Sequence, residues 1–106
     1  MAENLKINTD QIDRLAELAV LTGVALQPGQ DLLITAPIES LPLVRRLAVH
    51  AYKAGANLVT PLFSDPEIIL ARYQYANETS FDTAADWLYN GMGEAFDKNT
   101  ARLAVV

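Results

Sequence analysis

The sequence predicts an α/β fold: a three-layer domain built on a parallel, Rossmann-like sheet with a right-handed strand-helix-strand crossover. Three observations predict it. Leu32, Leu33 and Ile34 form one short apolar run, and Leu58, Val59, Leu62 and Phe63 form another, each of strand length and bounded by Gly, Pro, Asn or Asp. Between them Leu43, Val44, Leu47, Ala48, Ala51 and Ala54 recur at helical spacing, with Arg45, Arg46 and Lys53 outside the stripe. A helical crossover of this length joins parallel strands and is right-handed. Leu103, Val105 and Val106 read as a third apolar strand. The expected strand order is second, first, third, with helices on both faces and strands buried on both faces.

Taken in order, Asn8, Thr9 and Asp10 offer helix N-caps, and Gln11 follows Asn8 at capping-box spacing, which predicts a first helix beginning there. Ile12, Leu15, Ala16, Ala19 and Val20 give it an apolar face, with Asp10, Asp13, Arg14 and Glu17 on the other side. Gly23 is its expected C-cap. Gln27-Pro28-Gly29-Gln30 has Pro and Gly where a type II turn needs them. Pro37 ends the first strand, Ser40 can cap the central helix, Pro42 falls in its first turn, and Gly55 closes it. Asp65-Pro66 starts a third helix running to about Ala76, with Glu67 at capping-box distance from Ser64. A polar connection over 76–80 follows. A fourth helical pattern opens at Asp82 and carries Ala85, Leu88, Tyr89, Met92, Ala95 and Phe96, interrupted by Gly91 and Gly93.

Composition excludes several classes. The 106 residues suffice for one domain with a real core, and the apolar share of 51% and charged share of 20% are those of a globular protein. A net charge of -5 and a pI near 4.6 argue against nucleic acid or an anionic membrane as partner, because both need clustered positive charge. The apolar runs are too short to span a bilayer. There is no cysteine, hence no disulfide framework or thiolate chemistry, which agrees with a reducing cytoplasm. The start MAENLKINTD has neither an apolar signal core nor a basic leader.

Few residues invite chemistry. His50 is the single histidine; without Cys it cannot build a structural zinc site, and its cationic neighbours in sequence favour a structural, partly buried role. Gly91-Met92-Gly93 opens like a dinucleotide fingerprint, but Phe96 takes the third glycine position within a helical pattern, so close helix packing is the expectation. Glu39, Asp65 and Glu67 should lie at the carboxyl ends of neighbouring strands, where open α/β sheets bind ligands, although capping and loop surface account for all three. Arg45, Arg46 and Lys53 read as a solvated face. Trp87, Tyr73, Tyr75, Tyr89 and Phe81 read mostly as core, with a partner surface as the alternative.

The strings LQPGQ (26–30), APIESLPLVRRLA (36–48) and AYKAGA (51–56), in that order, make the chain resemble the amino-terminal region of the thermophilic metalloprotease family of aminopeptidases, the aminopeptidase T and S group. The likeness continues through SFDTAADWLYNGMGEAF to ARLAVV. These are scaffold motifs. The resemblance implies a cytoplasmic exopeptidase that removes amino-terminal residues from peptides with a pair of divalent metal ions (Zn, Co or Mn), held by Glu, His and Asp of a later, carboxyl-terminal domain. No position here matches those ligands, so no residue is assigned as catalytic, cofactor-binding or metal-binding. On this reading residues 1–106 are a truncated amino-terminal α/β domain, inactive alone, whose partners are its own catalytic domain, a peptide substrate and a second copy in a homodimer. Two alternatives stay open from the residues themselves: a stand-alone Rossmann- or flavodoxin-like module with a ligand above Pro37 and Ser64, and a dimerisation module.

Overall fold

In the computed structural model residues 2–106 are described, with side-chain burial from Thr9 onward. Strand β1 (Leu32–Pro37) lies between β2 (Val59–Ser64) and β3 (Ala101–Ala104). Both neighbours pair with it in parallel, giving the expected order β2-β1-β3. Helix α2 (Leu41–Lys53) makes the first crossover. The second, from β2 to β3, carries α3 (Pro66–Tyr75), α4 (Glu78–Phe81) and α5 (Asp86–Asp97). Helix α1 (Ala2–Leu18) precedes the sheet and packs on α2.

The core follows from strand alternation. Leu32, Ile34 and Ala36 of β1 point to one face, where they meet Val44, Leu47 and Ala51 of α2, Ala16 of α1 and Val20 just beyond it. Ile34, Val20, Ala16 and Ala51 are wholly buried. Leu33 points the other way, toward α5, and is also buried. Only β1 has the expected burial on both faces; every residue of β2 is exposed or half-buried. Burial is therefore one-sided in the chain: no residue of α3, α4 or α5 is buried.

Two glycines fix the turns. Gly29 has φ +82°, and the Gln30 amide donates to the Gln27 carbonyl at 3.1 Å, which is the expected turn into β1. Gly55 has φ +96° and ends α2; the Gly29 amide donates to its carbonyl at 2.7 Å, tying the two turns together.

Several expectations fail for identifiable reasons. Helix α1 does not begin at Asn8–Asp10 but runs through those residues from Ala2, so polar side chains that suit a cap lie within a helix. Its buried stripe is rotated: Leu15 is 56% exposed, and Asp13, expected on the wet side, faces α2. Ala19–Gly23 forms a π-helical turn after α1, and the left-handed residue is Ala25 (φ 52°), not Gly23. Ser40 precedes α2 but makes no side-chain cap bond, because a 3-10 turn over Ile38–Ser40 leads into that helix instead. Asp65 does cap α3, accepting from the Glu67 amide at 3.0 Å. The supposed polar connection contains α4, where Arg72 of α3 holds the chain by donating to the carbonyls of Ser80 and Thr83. Helix α5 accordingly starts at Asp86 rather than Asp82. The aromatic side chains are not core: Tyr73, Tyr75 and Trp87 are 71%, 85% and 77% exposed.

The glycines give opposite predictions. A Cβ at Gly55 would sit in a left-handed backbone and 3.2 Å from the Pro28 Cα, so Gly55→Ala should lower stability by about 1 kcal/mol or more. A Cβ at Gly91, inside α5, meets nothing within 4 Å, so Gly91→Ala should raise it by roughly 0.5–1 kcal/mol. Urea unfolding checks both signs. Ile34→Ala, at the centre of the buried strand, should cost about 2–5 kcal/mol in the same assay.

Candidate functional site

Three places gather groups that could do chemistry. At the α1–α2 contact, Asp13 Oδ1 accepts from Arg46 Nε at 2.6 Å and pairs with His50 Nε2 at 2.9 Å; His50 Nδ1 stands 3.9 Å from Glu17 Oε2. An ionised carboxylate only accepts, so the proton on that bond sits on His50 Nε2. The hydrogen bond from His50, followed by that from Arg46, holds the Asp13 carboxyl below its ordinary value. His50 is buried, as a structural role requires, but its partners are carboxylates of α1 rather than cations alone. Arg46 is likewise an ion-pair partner, while Arg45 and Lys53 are exposed. Every polar group here has a partner, and none faces a cavity large enough for a substrate: the cluster is a fastener between helices.

The carboxyl ends of the strands carry Glu39, Asp65 and Glu67. Asp65 is engaged in capping α3, and Glu39 and Glu67 are exposed. Among the described residues no group of three or more His, Asp or Glu could hold a metal ion, so the side chains of this chain do not fit a metal centre.

The third place is a cavity of about 300 Å³ between the sheet and α5. Leu33 and Leu62 form its floor, Leu88, Gly91, Met92 and Ala95 its helical wall, and the exposed Trp87 also lines it. The glycines therefore border open space instead of a close helix contact. Asp31, Thr60 and Thr100 supply its polar atoms, and Asp31 already accepts from Asn57 Nδ2 at 2.9 Å. With one committed carboxylate and two hydroxyls, the cavity can hold an apolar group but has no base, nucleophile or phosphate cradle. It opens near Asp31 and Thr100, toward the amino ends of β1 and β3, not above Pro37 and Ser64 where the stand-alone module would need it.

The family model for thermophilic metalloproteases matches residues 8–106. The chain belongs to the thermophilic metalloprotease family. Within it, the chain is 46% identical over 94 residues to aminopeptidase T of Thermus thermophilus and 31% identical over 98 residues to aminopeptidase AmpS of Bacillus subtilis. Those matches cover 89% and 92% of this chain but 23% and 24% of the relatives. The solved structure of wild-type AmpT from Thermus thermophilus superposes with a TM-score of 0.86 at 45% identity, over 90% of this chain and 24% of that one. The chain thus spans about a quarter of the length of the metalloproteases it matches. No described helix is long and apolar enough to cross a membrane.

The fastener sets a pH dependence. Because the folded-state pKa of Asp13 is lowered, its stabilising effect is full above the unfolded carboxylate value, roughly 3.9, and is lost as pH falls through the folded value. Asp13→Asn should lower the Tm at pH 7 and narrow the Tm difference from wild type below about pH 4. Thermal melts across pH 2.5–7 check it, and a constant difference would show that Asp13 does not carry the acid limb.

Proposed function

We propose that this chain is the non-catalytic, amino-terminal α/β part of a metal-dependent aminopeptidase that removes amino-terminal residues from peptides. The observation that carries the reading is 46% identity to aminopeptidase T over 89% of this chain, yet only 23% of that protein. The lack of a metal-ligand group among the described residues supports placing the chemistry elsewhere. On this reading a downstream domain holds a pair of divalent ions (Zn, Co or Mn), which when bound would supply Lewis-acid activation of carbonyl and water. The present residues supply a rigid wall. Their partners are that domain, the peptide substrate and a second copy of the protein, and the exposed aromatic side chains of α3 and α5 suit contact with protein. The absence of cysteine supports a cytoplasmic setting.

The test is made on the longer gene product. Aminoacyl-arylamide hydrolysis should require added divalent metal, vanish with a chelator and return on reloading. Glu39→Gln and Glu67→Gln in that protein should leave bound metal per chain unchanged. Loss of metal from either variant would put ligands within this chain and overturn the non-catalytic assignment; an inactive, metal-loaded wild type would overturn the peptidase reading.

A further inference from the structure

The sheet has two edges, and they are built differently. In a parallel ladder, alternate residues of an edge strand turn their N–H and C=O toward the neighbouring strand, and those between turn them outward. The Leu32 amide donates to the Leu58 carbonyl at 2.9 Å, and Leu32 is in register with Val59. The outward residues of β2 are therefore Val59, Pro61 and Phe63. The Val59 amide is taken by the Tyr52 hydroxyl at 3.0 Å, and Pro61 has no N–H to offer. Only Phe63 keeps an outward donor. A proline within a sheet is confined to an edge or a bulge, so β2 is a terminal strand by construction.

The other edge is open. The Ala101 amide donates to the Asp31 carbonyl at 2.9 Å and the Val105 amide to the Thr35 carbonyl at 2.8 Å. Arg102 and Ala104 must then present their N–H and C=O outward, and β3 is the last strand on that side. No proline or bulge blunts it, and the Arg102 side chain stands off the sheet face rather than across the edge. Leu103 and Val105 pack against the core yet remain half-buried.

We propose that the outer edge of β3 is the docking site for a further parallel strand contributed by the same, longer polypeptide. This rests on the reading of the chain as part of a larger peptidase. The length argues for it, since the relatives are about four times as long as the matched region. A second copy is a poor occupant: an edge strand of four residues offers far less than the roughly 1,200 Å² of a stable interface. An added strand would satisfy the outward groups of Arg102 and Ala104 and seat side chains beside Leu103 and Val105.

Amide hydrogen exchange on the longer gene product tests it. The Arg102 and Ala104 amides should exchange at least about 100-fold more slowly than that of Phe63, at a rate that does not change on dilution. Exchange as fast as Phe63, or a Phe63 amide better protected than both, would overturn the proposal. Protection that disappears on dilution would assign the edge to a second copy and overturn it equally. Ala104→Pro removes an outward donor only, so in the longer protein it should lower the Tm, and an unchanged Tm counts against the added strand. A peptidase assay on the same sample separates the two readings. Protected amides without activity sink the peptidase assignment and keep the strand, whereas activity with unprotected amides does the reverse.

Discussion

The structure depends on β1 being buried on both faces and paired on both edges. Its six residues include Ile34 with no exposure and Leu32 with 1%, and parallel partners flank it. Parallel pairing forbids tight hairpins, so each neighbour must be reached by a crossover. The first crossover is short, and its helix returns directly over β1, bringing Val44, Leu47 and Ala51 onto Leu32 and Ile34. The second must pass from β2 on one side of β1 to β3 on the other, and it takes α3, α4 and α5 to do so.

The two crossovers differ in what they bury. Helices α1 and α2 close one face of the sheet, with the Asp13–Arg46–His50 contact fixing their relative position. On the other face α5 leaves a cavity, and α3 exposes Ile68 as well as Tyr73 and Tyr75. The consequence is a slab of 44 × 42 × 16 Å with a radius of gyration of 16.4 Å, whereas a compact domain of this length has about 13 Å. Burying apolar surface contributes roughly 25 cal/mol per Å², so a face this apolar is stabilised by whatever covers it. That asymmetry fits a piece designed to be packed against more protein.

How much of this was legible in the sequence depended on whether the signal was local. The β1–α2–β2 unit was readable because its apolar spacing, Pro42 and Gly55 all act within a few residues. The strand order was readable as well, since crossover length constrains it. The phase of α1 was not, because Asn8, Thr9 and Asp10 look like caps whether or not the helix passes through them, and Asp13 is drawn inward by Arg46 and His50 from far along the chain. The same limit hid the role of His50: its charged neighbours in sequence are cations, and its partners in space are carboxylates. For the aromatic residues of α3 and α5, composition reports that they favour burial but not which molecule buries them. The family resemblance was legible through scaffold strings such as LQPGQ and AYKAGA, which encode the turns at Gly29 and Gly55 rather than any chemistry.

The topology also explains why a chain so clearly of a peptidase family gathers no catalytic constellation of its own. From β1 the polypeptide moves to β2 on one side and then to β3 on the other, so the direction of winding reverses between β1 and β3. In open α/β sheets ligands bind outside the carboxyl ends of the strands at such a reversal, in a crevice formed by the two loops leaving the flanking strands. Here the loop leaving β1 is the 3-10 turn over Ile38–Ser40, complete and followed by α2. After β3 there are only Val105 and Val106. One wall of the crevice is therefore within these residues and the other is not. A crevice with one wall can position neither substrate nor metal, which is why Glu39 stands exposed with no ligand set around it.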